Sequence, residues 1–186
     1  MQKPPLVRLA VLLVLLAGSL VAWVYREPIR DRLRHERMDV EAMQGHPAPE
    51  LPELPTLDGR PVTLAGLRGR VVLLHFWTFA CSNCEHMQPH YRDWNARYRA
   101  AGLSIVGVHS PETLREQDLY QLRRYVEREH IDWPTVIDRD FDAWNRFHVQ
   151  AWPTVILIDR QGQIRAVHIG DHLTDRIEHD IERLVR

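Results

Sequence analysis

From residue 71 to residue 185 short apolar runs alternate with longer stretches in which apolar side chains recur every three or four positions. Val71 to Trp77 is apolar except for His75 and short enough to be a buried central strand, and Leu103 to His109 is a second run of that kind. Between them, Glu85 to Ala100 places Met87, Tyr91, Trp94 and Tyr98 on one helical face, with a kink expected at Pro89. A second helix is predicted from about Glu112 to His130, with Leu119, Leu122 and Val126 sharing a face. A short strand at Thr135 to Ile137 and a helical turn from Phe141 to Phe147 follow. Thr154 to Ile158 and Ile164 to Ile169 then read as a hairpin about Gln161-Gly162, and a closing helix runs from about Thr174 to Val185. Upstream, Leu57 to Leu64 reads as a further short hairpin turning at Asp58-Gly59. This order predicts an α/β domain whose mixed central sheet is covered by helices on both faces, without internal repeats.

The amino-terminal pattern is different. Leu9 to Tyr25 is an uncharged, mostly apolar run of 17 residues that as a helix spans about 25 Å, near the thickness of a hydrocarbon layer. It is apolar on every face and ends in the aromatic pair Trp23 and Tyr25, which favours an uncleaved anchor over a signal peptide. The organisation expected is a short flank at 1–8, a transmembrane anchor at 9–25, a charged linker at 26–45 and a globular domain at 46–186. Five arginines follow the anchor and two basic side chains precede it. Positive-inside counting would put the domain in the cytoplasm, but long domains cross regardless of flanking charge, so the count leaves the side open.

Charge excludes one class of partner. With 24 Lys plus Arg against 25 Asp plus Glu the net charge is -1, so no nucleic-acid-binding signature is present. The only two cysteines, Cys81 and Cys84, lie within four residues and cannot staple distant segments. Their place at a strand-to-helix junction points to chemistry, because unpaired amides and the positive dipole end of a helix favour a thiolate at the first cysteine. Cys81 is therefore the expected nucleophile and Cys84, in the first helical turn, the resolving thiol, a redox-active pair that needs no cofactor. Two small buried apolar residues would be the bland reading. His86 and His90 are near enough in sequence to raise a copper or zinc site, but they need not share the cysteines' face, and no metal is expected.

The segment His75-Phe76-Trp77-Thr78-Phe79-Ala80-Cys81-Ser82-Asn83-Cys84, with Pro89 downstream, resembles the active-site segment of the thioredoxin superfamily, and Trp152-Pro153-Thr154 resembles its second signature. Gly45-His46-Pro47-Ala48-Pro49, Leu67-Arg68-Gly69-Arg70-Val71-Val72 and Gly107-Val108-His109-Ser110-Pro111-Glu112 are similar to the membrane-anchored branch that contains TlpA, ResA and the carboxy-terminal domain of DipZ. The resemblance implies a thioredoxin-like fold and a thiol-disulfide oxidoreductase acting on protein thiols or disulfides, with a cis proline at Pro153 and a groove glycine at Gly170. It also implies a single-pass protein of the cytoplasmic membrane whose catalytic domain faces the periplasm or cell exterior. A reductase role, often in cytochrome c maturation, and reduction by a membrane electron-donor thiol transporter come with it. Two departures stand out: His75 replaces a buried acid thought to relay a proton to the resolving cysteine, and Ala80 replaces a tryptophan. His75 is either a relay working near neutral pH or a partner in a buried hydrogen bond. Glu112 is either a relay group by the groove or a helix-start residue. Trp77 and Trp152 flank the two signatures and are expected either to wall the substrate groove or to pack in the core. A copper chaperone using the same cysteines, and a thiol peroxidase, are the alternative functions.

Overall fold

The computed structural model describes residues 42–186, and the expectations for the anchor at 9–25 and for most of the charged linker lie outside the described residues. Among the described residues no helix is long and apolar enough to cross a membrane. Five strands form one sheet in the order β3-β2-β1-β4-β5: β1 (Val71–Trp77), β2 (Leu103–His109), β3 (Thr135–Ile137), β4 (Thr154–Ile158) and β5 (Ile164–Ile169). β1 runs parallel to β2, and β2 to β3, while β4 is antiparallel to both β1 and β5. Among the described residues the α-helices are α1 (Ser82–Tyr98), α2 (Leu119–Arg128), α3 (Asp142–Arg146) and α4 (Thr174–Val185).

Every residue of β1 is buried, which is why the run shows no polar alternation. Its side chains still divide by the two-residue period of a strand. Val71, Leu73 and Trp77 join Met87, Tyr91 and Trp94 of α1, Leu122 and Tyr125 of α2, and Ile177 and Ile181 of α4 in one core. Val72, Leu74 and Phe76 face a second core with Met43, Leu51, Leu64, Ala143 and Phe147. Each large apolar side chain so enclosed contributes about 1.5–3 kcal/mol of burial. The consequence for function is positional: the central strand is fixed on both faces, and its carboxyl end delivers the chain to Cys81.

Two expected elements differ. The helix predicted from Glu112 to His130 is broken into a 3-10 turn at Leu114–Gln117 and α2. Two capping signals compete inside that stretch: Thr113 and Glu116 form a capping box, and Asp118 accepts from the amides of Tyr120 and Gln121 to start α2 afresh. Leu119 is consequently exposed rather than packed with Leu122. The hairpin expected over Leu57 to Leu64 does not form, although the chain does turn at Gly59, whose φ is +75°. The Leu57 amide bonds instead to the Thr135 carbonyl at 2.8 Å, docking this segment on the β3 edge, and the Leu64 amide bonds to Glu50. α1 continues through Pro89 without interruption.

Candidate active site

Trp77 ends β1, and after three intervening residues the chain reaches Cys81, the cap residue of α1. Its backbone is extended, with φ -92° and ψ 114°, which turns the side chain back over the first helical turn. Cys81 Sγ accepts from the Cys84 amide at 3.2 Å, and the Cys81 carbonyl accepts from the Glu85 amide at 3.0 Å. A sulfur here sits where a capping oxygen usually would, so the amides that favour an anion act on it directly.

The two thiols are electrostatically unlike. The Cys81 pKa is lowered to about 7, first by a hydrogen bond from the Cys84 thiol and then by the amides of Cys84 and Asn83, against opposition from partial burial and from the carboxylate of Glu112. Cys84 is pushed far upward, because its proton is held by Cys81 and its sulfur is fully buried. At neutral pH a large fraction of Cys81 is thiolate while Cys84 stays protonated beside it. Cys81 is half-buried and Cys84 enclosed, so an incoming sulfur meets Cys81 first.

Pro153 and Gly170 are brought to one place by the β4-β5 hairpin. The Trp152–Pro153 bond is cis, and the Gly170 amide donates to the Pro153 carbonyl at 2.9 Å. Gly170 has φ +90°, a left-handed conformation that favours glycine, and an added Cβ would lie 3.1 Å from the His172 ring. Trp152 is half-buried against Trp144, with ring centroids 4.3 Å apart, and its indole donates to the Ser110 carbonyl at 3.0 Å. Trp77 does not belong with it. Its side chain is wholly buried and packs against His109 and Tyr125, so it cannot wall a groove, because its place on β1 turns it into the core beneath α1.

His75 is likewise enclosed on that side of β1, its ring 4.3 Å from that of Tyr91. The Trp133 indole donates to His75 Nε2 at 3.0 Å, which leaves the neutral ring's proton on Nδ1, an atom with no partner. Burial lowers the His75 pKa to about 3, so the imidazole is neutral through the physiological range. His75 thus takes part in a buried hydrogen bond with Trp133. Glu112 is exposed and lies in no helix, since the 3-10 turn begins at Leu114. Its field reaches Cys81, where it opposes ionisation.

One functional residue was not anticipated. Glu116 is buried, yet four hydrogen bonds outweigh burial and hold its pKa below the usual carboxylate value. Its carboxylate accepts from Thr78 Oγ1 at 2.5 Å, the Ala80 amide at 3.2 Å, and the Thr113 amide and hydroxyl at 2.7 and 2.9 Å. It therefore ties down the loop that presents Cys81. The spacing Thr113-Leu114-Arg115-Glu116 is a capping-box pattern and was the available signal, hidden by the expectation of one continuous helix. His86 is held by Asp171 at 3.0 Å and His90 lies against Trp94, and among the described residues no three His, Cys, Asp or Glu side chains converge as metal ligands.

The AhpC/TSA family matches residues 44–167. DipZ of Mycobacterium tuberculosis (strain CDC 1551 / Oshkosh) is 33% identical over 118 residues, 63% of this chain but only 17% of that protein, so the chain spans about a sixth of its length. The thiol-disulfide oxidoreductase ResA of Halalkalibacterium halodurans is 31% identical over 129 residues, 69% of this chain and 70% of the relative. Among solved structures, a chain from Chlorobium tepidum described as a thiol:disulfide interchange protein DsbE superposes with a TM-score of 0.70 at 25% identity, covering 77% of this chain and 98% of that one. The mixed sheet with its flanking helices is therefore a thioredoxin-like fold.

Proposed function

The chain belongs to the AhpC/TSA family, whose thioredoxin-like members it matches over most of its length, and on that footing we propose that it reduces disulfides of protein partners from the outer side of a membrane. The observation that carries the reading is the unlike placement of the two thiols: Cys81 Sγ caps α1 half-exposed, accepting from the Cys84 amide at 3.2 Å, while Cys84 is buried behind it, an arrangement that favours ionisation of Cys81 and keeps the proton on Cys84. The Cys81 thiolate attacks one sulfur of the substrate disulfide, forming a mixed disulfide and releasing the other sulfur as a thiolate. Cys84 then attacks Cys81 Sγ, and its proton passes to the second departing sulfur. The substrate gains two electrons and the chain closes a Cys81–Cys84 disulfide, which a dithiol donor must reopen. Pro153, Trp152 and Gly170 are assigned to the groove that holds the extended substrate beside Cys81. With His75 neutral and bonded to Trp133, any relay through it runs by the unpaired Nδ1.

The tether rests on the uncharged run at 9–25. The extracytoplasmic side, a membrane thiol transporter as donor and a place in cytochrome c maturation rest on the resemblance to the TlpA, ResA and DipZ branch. A single experiment separates these parts. Intact cells making the full chain, supplied with a membrane-impermeant disulfide peptide, should reduce it faster than cells lacking the chain. Activity appearing only after lysis, in the soluble fraction, would remove the tether and the assigned side. Absence of disulfide reduction combined with rapid consumption of hydrogen peroxide would replace the exchange reading by a thiol peroxidase.

A further inference from the structure

A cavity of about 600 Å³ is lined by Phe79 and Ala80, the two residues that precede Cys81 in the chain, and by Arg115, Arg124, Tyr125 and Arg128. Arg115 comes from the 3-10 turn and Arg124 from α2, on either side of the break already described, and the small side chain of Ala80 lines the same cavity. The three guanidinium groups are not equally available. Arg128 stacks over the Tyr125 ring at 4.8 Å and pairs with Glu129 at 2.8 Å. Arg124 lies 6.0 Å from the Tyr120 ring centroid, and among the described residues neither it nor Arg115 has a carboxylate within 4.0 Å. Of the nearby acids, Glu116 is turned inward onto Thr78, Ala80 and Thr113, Glu129 pairs with Arg128, Glu112 acts on Cys81 and Glu85 acts on Tyr125 and Arg128, and among the described residues none of them makes an ion pair with Arg115 or Arg124.

We propose that this cavity receives an acidic segment of the protein substrate, so that disulfides flanked by aspartate or glutamate are selected over those flanked by lysine or arginine. The inference rests on the exchange reading above and names the substrate class for that site. A guanidinium fork binds carboxylates with geometric specificity, and cations without a carboxylate partner in a cavity lined by the residues that lead into Cys81 steer an acidic partner toward that end of the sheet. The exposed apolar side chains of Leu114, next to Arg115 in the chain, and Tyr120, one helical turn before Arg124, are 85% and 63% accessible and fit a polypeptide better than a free carboxylate.

The test uses the full chain in detergent, reduced, with three disulfides: small neutral hydroxyethyl disulfide, and two peptides alike except for glutamate or lysine flanks. The wild-type kcat/KM should favour the glutamate peptide by about tenfold at low salt, and that ratio should shrink as salt rises. The double variant Arg115→Gln, Arg124→Gln should lose the preference while reducing hydroxyethyl disulfide within about twofold of wild type, a result that also certifies its folding. Equal wild-type rates on the two peptides, a ratio insensitive to salt, or a preference unaltered in the variant would overturn the proposal. Failure of the wild type on all three disulfides would instead strike the exchange reading itself.

Discussion

Replacing Cys81 by serine is expected to abolish disulfide reduction, with the rate falling by at least about a thousandfold, because a serine hydroxyl at the same site stays protonated and is a far weaker nucleophile toward sulfur. The surrounding structure should survive. Serine is a good helix cap and can accept from the Cys84 amide as Cys81 does, so α1 keeps its start. Cys84 does not take over, since its sulfur is buried and its ionisation strongly disfavoured. The measurement is reduction of a disulfide peptide by the purified variant, with circular dichroism to confirm the fold. Residual activity within an order of magnitude of wild type would mean that attack does not begin at Cys81.

Cys84→Ser should separate the two half-reactions. Attack by Cys81 continues, because the serine hydroxyl can donate the hydrogen bond that the Cys84 thiol gave and the amides of Cys84 and Asn83 that also favour the thiolate belong to the backbone. Resolution cannot, because no second sulfur faces the mixed disulfide. Partners should therefore accumulate as covalent adducts that survive non-reducing gels and disappear on addition of dithiothreitol, while turnover falls to the rate at which external thiols cleave the adduct. Adducts should be absent when both cysteines are replaced. If Cys84→Ser yields no adducts and Cys81→Ser does, the roles of the two sulfurs are exchanged.

Much of this molecule was legible from residue pattern. All five strands appear where apolar runs predicted them, from Val71–Trp77 to Ile164–Ile169, because strands buried in a central sheet leave little room for ambiguity once turn residues bound them. The strand-to-helix placement of Cys81 was legible for the same reason; its thiolate character follows first from the hydrogen bond of the Cys84 thiol and then from backbone amides that a helix start supplies. What was not legible arose where local signals overlapped or partners were distant in sequence. The region from Glu112 to His130 holds two helix-start patterns within a few residues, and reading it as one helix concealed Glu116, whose partners Thr78 and Ala80 lie far upstream. His75 and Trp77 sit on one face of β1, so adjacency to the cysteines in sequence placed Trp77 beneath the site rather than beside it. The arginines of the cavity are scattered from 115 to 128, and no charge run marks them.

The account turns on unequal acidity of the two sulfurs, and the pH dependence of alkylation measures it most directly. Reduced protein is treated with iodoacetamide over a range of pH and the modified cysteine identified by mass spectrometry. Cys81 should be modified first, at a rate that rises with pH and levels off through a midpoint near 7, while Cys84 remains unmodified in the folded chain. A single midpoint near the ordinary thiol value of 9.0 for both cysteines, or earlier modification of Cys84, would contradict the assignment of Cys81 as the nucleophile.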